Sequence, residues 1–109
     1  MNITKSTLNY IDTMFPESHI KVFSMEIEEG KKFIFDEIEK ITKSYIEVCL
    51  SSTLYYFILI FDDKLKEETL KQLLTANKIK FTSKNHDFRM KNFLNSIIDE
   101  ENTKYHLIY

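Results

Sequence analysis

Apolar positions along this chain follow two rhythms. In residues 4–15, Leu8, Ile11 and Phe15 recur at i, i+3 and i+7 with Met14 beside them. That spacing predicts an amphipathic helix. Pro16 ends it, because the residue before a proline is pushed out of the α region. Residues 19–27, HIKVFSMEI, then alternate: Ile20, Val22 and Ser24 share one face, Phe23 and Met25 the other. Alternation of this kind predicts a strand.

Residues 31–45 admit two readings. Ile34, Ile38, Ile41 and Tyr45 form a helical stripe. EEGK ahead of them would also suit a hairpin turn at Gly30, placing 31–36 in a second strand, with Asp36 and Glu39 as a capping box for a shorter helix behind it. The helix is the favoured reading. YIEVCLSS and LYYFILIF follow as a β-hairpin turning at Ser51-Ser52-Thr53. Asp62 and Asp63 end it and cap a helix over 64–77, with Leu65, Leu73 and Ala76 inward and Leu70 and Leu74 flanking. A short strand is expected at 79–82 and a helix at 87–100, on the spacing of Met90, Phe93, Leu94, Ile97 and Ile98. A last strand is expected at 103–109, with Tyr105, Leu107 and Tyr109 on one face.

Both faces of LYYFILIF, residues 54–61, are apolar. A strand of that composition is expected at the centre of a sheet with helices on both sides, since an exposed one would aggregate. The alternative is that one face meets a partner or a second copy of the chain. The predicted class is α+β, an antiparallel or mixed sheet with helices, in one domain over 1–109. The element order β-α-β-β-α-β across 19–82 resembles the ferredoxin-like superfold, with an added N-terminal helix and an added C-terminal helix and strand. The resemblance is one of element order, and such folds host unrelated functions.

Composition narrows the classes. A hydrophobic fraction of 43% in 109 residues is enough for a core without disulfides or metals. With one Gly, the chain has no P-loop, no GxGxxG and no GxSxG elbow. No cofactor is expected. The single Cys49 cannot pair internally, and MNITKSTLNY lacks the apolar stretch of a signal peptide. No run approaches the about 20 apolar residues of a membrane span. A cytoplasmic protein with no membrane partner is expected. The bias toward Ile, Lys, Asn, Phe and Tyr suggests an AT-rich genome, that of a low-GC bacterium or a phage.

Candidate chemistry is sparse. Cys49 lies in an apolar run and reads as an inert thiol. His19, His86 and His106 show no metal-ligand spacing, so no metal site is expected. Asp62 and Asp63 at a strand end allow a metal-dependent, nuclease-like reading, although helix capping accounts for them. Net charge is −2, but acids predominate in the first half and bases in 64–91. Lys78, Lys80, Lys84, Arg89 and Lys91, with Phe81 and Tyr105 nearby, form the alternative nucleic-acid surface. The leading reading is a protein-binding module without enzymatic activity, of the kind of an immunity protein, an antitoxin or a phage inhibitor of host defence. Tyr105, His106 and Tyr109 on a sheet-edge strand would contact the partner. Glu28 and Glu29, within the acidic tract of Glu26, Asp36, Glu37 and Glu39, would steer a basic one.

Overall fold

The computed structural model describes residues 5–107. Its elements are α1 (Lys5–Met14), β1 (His19–Glu26), α2 (Ile34–Ile41), β2 (Ser44–Cys49), β3 (Leu54–Phe61), α3 (Lys64–Ala76), β4 (Phe81–Asn85), α4 (Phe88–Ile97) and β5 (Thr103–Leu107). The five strands form one sheet in the order β4-β1-β3-β2-β5, and every neighbouring pair is antiparallel. The chain is therefore α+β, with no parallel pair of neighbours to make the sheet mixed. β1 and β2 point the same way but are separated by β3, so α2 bridges two strands that do not touch.

The expectation for LYYFILIF holds. β3 is central, and its two faces enter two different cores. Tyr55, Phe57, Leu59 and Phe61 join Phe23, Met25 and Tyr45 beneath Ile34 and Ile38 of α2 and Leu70 and Leu74 of α3. Ile58 and Ile60 join Val22, Ile46 and Val48 beneath Leu8, Ile11 and Phe15 of the α1 segment and Leu94 of α4. Phe57, Ile58, Leu59, Ile60 and Phe61 are all 0% exposed, each gaining about 1.5–3 kcal/mol from burial.

Several expectations shift. The start of α1 at Thr4 lies outside the described residues. α2 stops at Ile41, where Thr42 turns extended and bonds back to the Ile38 carbonyl through both its N–H and its hydroxyl. Tyr45 thus continues the helical spacing only by coincidence and is a β2 residue. Gly30 sits in a 3₁₀ turn, Glu29–Lys31, with no positive φ, and the hairpin does not form. Asp36 and Glu39 make no capping box, since α2 begins after Phe33, with no side-chain cap.

In α3 the inner face is Glu67, Leu70 and Leu74, while Leu65 is 76% exposed and Ala76 is exposed. Asp63 caps this helix, accepting the Lys66 N–H at 3.1 Å. Its far end is a Schellman turn: Ile79 N–H bonds to the Leu74 carbonyl and Lys78 N–H to the Thr75 carbonyl, with Lys78 at φ 58°. β4 begins only at Phe81, after the turn has taken up Ile79. α4 ends at Ile97, where Ile98 becomes extended. β5 lies at a sheet edge, as expected of a terminal strand, and its register puts Tyr105 opposite Ile46.

Candidate binding site

β4 is an edge strand of mostly polar residues, and it lies beside the part of the sheet that α4 leaves open. On that face the register aligns Tyr56, Ser24 and Thr82 in one row across β3, β1 and β4, with Val22 and Lys84 in the next. The Ser24 and Thr82 hydroxyls bond to each other at 2.5 Å. The row forms the floor of a cleft of about 760 Å³, and Arg89, Met90 and Phe93 of α4 form its wall.

The wall follows from helical spacing. Asp87 caps α4, accepting the Met90 N–H at 2.9 Å. Lys91 then points to α1, where its ammonium lies 2.6 Å from Asp12. Arg89 and Phe93, one turn apart, take the other flank. The Phe93 ring meets Tyr56 with centroids 5.2 Å apart. Lys21 lies at the rim, donating to Asn85 at 2.5 Å.

The electrostatics are one-sided. Lys21, Lys84 and Arg89 line the cleft, and among the described residues none of them forms an ion pair. The one carboxylate in the lining, Asp87, is engaged as the helix cap. Elsewhere Lys71 pairs with Glu67, Lys91 with Asp12 and Lys43 with Asp62, while half-buried Lys31 and Lys32 bond instead to the Asn77 carbonyl and the Tyr55 hydroxyl.

The structure thus divides the basic segment. Lys84 and Arg89 meet in the cleft. Lys78 and Lys80 stand with Lys31, Glu26 and Glu28 around a separate hollow of about 160 Å³. Lys91 is engaged by Asp12. Phe81 faces the opposite layer, stacked on Phe23 with centroids 5.7 Å apart, and Tyr105 packs into the α1/α4 core, so neither aromatic joins Lys84 and Arg89. Tyr56 and Phe93 take that place.

The expected partner-contact residues are dispersed. Glu29 is exposed in the 3₁₀ turn, while Glu28 borders the small hollow. His106 stacks on Tyr45 at 4.2 Å, lies 3.0 Å from Glu47 and accepts the Ser44 hydroxyl at its carbonyl. Tyr109 lies outside the described residues. Asp62 is exposed, 3.7 Å from Lys43. Among the described residues no three His, Cys, Asp or Glu side chains converge as a metal set. Cys49, half-buried, donates its thiol to the Ser51 carbonyl.

Two buried polar clusters flank the cleft layer and the opposite layer. Glu67, 1% exposed, accepts from Ser83 at 3.0 Å, pairs with Lys71 at 3.1 Å and meets His19 through Nε2. Burial pushes its carboxyl up, but these bonds outweigh burial and hold it below the usual range. Ser83 donates to the Glu67 carboxylate, which ties its hydroxyl into the cluster. The cluster is a clasp joining α3, β1 and β4. At the α1/α4 contact, His86 Nδ1 lies 3.3 Å from Asp12, and His86 Nε2 is buried with no partner. Donation from Nδ1 leaves Nε2 a bare lone pair, the less costly atom to orphan. Burial lowers the His86 pKa against the opposing pull of Asp12.

Comparison with protein-family models, with curated proteins and with solved structures finds no match to this chain. No helix among the described residues is long and apolar enough to cross a membrane.

Proposed function

We propose that this chain is a protein-binding module that acts by holding or occluding another protein, with the cleft beside α4 as its contact face. The observation that carries the reading is the lining itself. Tyr56, Arg89, Met90 and Phe93 come together there, and these are the residue types that interface cores favour. Phe88, 79% exposed, precedes Arg89 at the start of the same helix. The polar clusters described above are spent on packing, which leaves binding as the role the open surface serves best. An immunity protein, an antitoxin or a phage-type inhibitor would work in this way, in the cytoplasm, where the free thiol of Cys49 stays reduced.

The test is photo-crosslinking in the source cell, with a photoreactive residue at Phe88 and another at exposed Lys64 as a reference position. A distinct protein adduct from position 88, absent at 64, is expected. Adducts only with nucleic acid would reverse the reading toward the alternative, a nucleic-acid surface, which the unpaired Lys21, Lys84 and Arg89 favour.

We also read β1, α2, β2, β3, α3 and β4 as a ferredoxin-like unit. The insertion of β3 between β1 and β2, with β4 outside β1, supports this, and β5 then extends the sheet beyond β2.

A further inference from the structure

We infer that the cleft seats an acidic, apolar-flanked segment of the partner protein: a carboxylate held by Arg89 and Lys84, with a neighbouring apolar side chain against Phe93, Tyr56 and Val22. This rests on the reading of the cleft as a protein-contact face and names the chemistry it selects.

The first support is charge. The cleft gathers three cations, none of them in an ion pair among the described residues, and the one carboxylate in its lining, Asp87, is held as the α4 cap. Clustered like charges repel one another, and an incoming carboxylate relieves that repulsion. The second is the kind of cation. Arg89 is the chain's one arginine, and its planar fork matches a carboxylate with two parallel hydrogen bonds. The third is spacing. Phe93 lies one helical turn from Arg89, so an ionic anchor and an apolar contact stand side by side, within reach of residues i and i+2 of an extended segment, which share a face. The floor hydroxyls of Ser24 and Thr82 bond to each other, which uses one of their two protons and leaves the other as a neutral donor beside the cations.

A nucleic-acid strand fits less well. Its phosphates extend well past the cleft, and the chain as a whole carries −2 with Glu26, Glu28 and Glu29 exposed at the far end of β1. Screening over about 8 Å lets a short acidic segment meet mainly the local positive charge.

Fluorescence anisotropy on the full chain tests this with four labelled probes. These are a twelve-residue peptide of three Glu-Ser-Leu-Ser repeats, which sets Glu and Leu on one face when extended, the same peptide with Gln for Glu, the same with Lys for Glu, and a twelve-nucleotide single-stranded DNA. The Glu peptide is expected to bind, with the Gln form at least about tenfold weaker and the Lys form not binding. The double variant Lys84→Glu/Arg89→Glu should lose at least about tenfold, and Arg89→Lys should lose less because charge remains without the fork. Phe93→Ala should weaken binding without changing its salt dependence, and Lys64→Glu should leave it unchanged. Thermal melts confirm that each variant folds. Equal binding of the Glu and Gln peptides, an unaffected double variant, or no peptide binding overturns the proposal. Tighter, steeply salt-dependent binding of the DNA replaces the occupant with a nucleic acid. If the peptides fail while the position-88 adduct persists and is lost in Phe93→Ala, the contact face stands and only its acidic preference falls.

Discussion

The Glu67 carboxylate on α3 accepts the Ser83 hydroxyl of β4 at 3.0 Å, so a helix buried under one layer is fastened to the strand that borders the cleft in the other. Glu67→Ala would leave Ser83 unsatisfied and Lys71 and His19 without their acid. Both of these are partly exposed, at 34% and 27% of their side chains, and water can replace part of what they lose. A loss of about 1–3 kcal/mol is expected, read by urea denaturation, with Glu67→Gln costing less because it still accepts from Ser83. A Glu67→Ala protein as stable as the parent would show that the clasp contributes nothing.

Acid should weaken the fold in two steps. The folded pKa of His86 lies below its ordinary 6.5, so just below neutrality the unfolded chain binds the extra proton. Stability therefore falls as pH drops through about 6.5 toward the folded value. Asp12 and Glu67 also have folded pKa values below their ordinary ones, although burial alone would raise both. Bonds from Lys91 and His86 at Asp12, and from His19, Lys71 and Ser83 at Glu67, prevail. Their contribution is present above about pH 4 and lost as pH falls further. Denaturation midpoints at pH 8, 6 and 5 check the first step, and His86→Leu should flatten it. At the other extreme, burial and nearby acids push Tyr45 up to about 12, so stability should fall as pH rises past 10, where the unfolded chain ionises first.

Leu65 and Leu70, five residues apart on α3, should respond in opposite ways to truncation. Leu70→Ala removes a fully buried side chain and should cost about 2–5 kcal/mol. Leu65→Ala, at a position 76% exposed, should stay within about 0.5 kcal/mol. Comparable losses at both positions would mean that the helix packs in the orientation its sequence suggests.

The orientation the α3 sequence suggests holds only at Leu73, which packs against the core, while Leu65 and Ala76 face solvent, and the reason is physical. Glu67 reads as a solvent residue, and only a serine and a histidine brought from distant strands make its burial tolerable. β4 was misplaced toward Ile79 because an edge strand with exposed Thr82, Lys84 and Asn85 shows no apolar alternation. The elements with continuous periodicity, α1, α4 and the β2–β3 hairpin, were legible to within a few residues. Of the cleft, Lys84 and Arg89 were visible as charge. Tyr56 and Phe93 were visible only as core candidates, since their pairing depends on where α4 crosses β3.

Lys78 offers a gain in stability. As the left-handed residue of the Schellman turn it carries a Cβ where none is favoured, at φ 58°. Lys78→Gly should stabilise the chain by up to about 1 kcal/mol, after the greater freedom of glycine in the unfolded chain is counted. Thermal unfolding checks this, and a lower midpoint would count against it.

The caps of α3 separate by role. Asp63→Ala removes the acceptor of the Lys66 N–H and should cost about 1 kcal/mol. Asp62→Ala breaks only an exposed pair with Lys43 and should change little. Equal losses would show that the two aspartates act together at the strand end, as a shared ion would require.

Because β3 gives one face to each of two separate cores, the sheet works as a bulkhead. Residues lining the cleft belong to the α1/α4 side or to the strands' outer rows, while the ring-rich packing of Phe23, Phe57 and Phe61 lies wholly beyond the sheet. The cleft's exposed side chains are therefore separated from that packing by the thickness of the sheet. Exchanging Lys84, Arg89 or Phe93 one at a time would alter what the cleft presents and leave the Phe23, Phe57 and Phe61 compartment untouched.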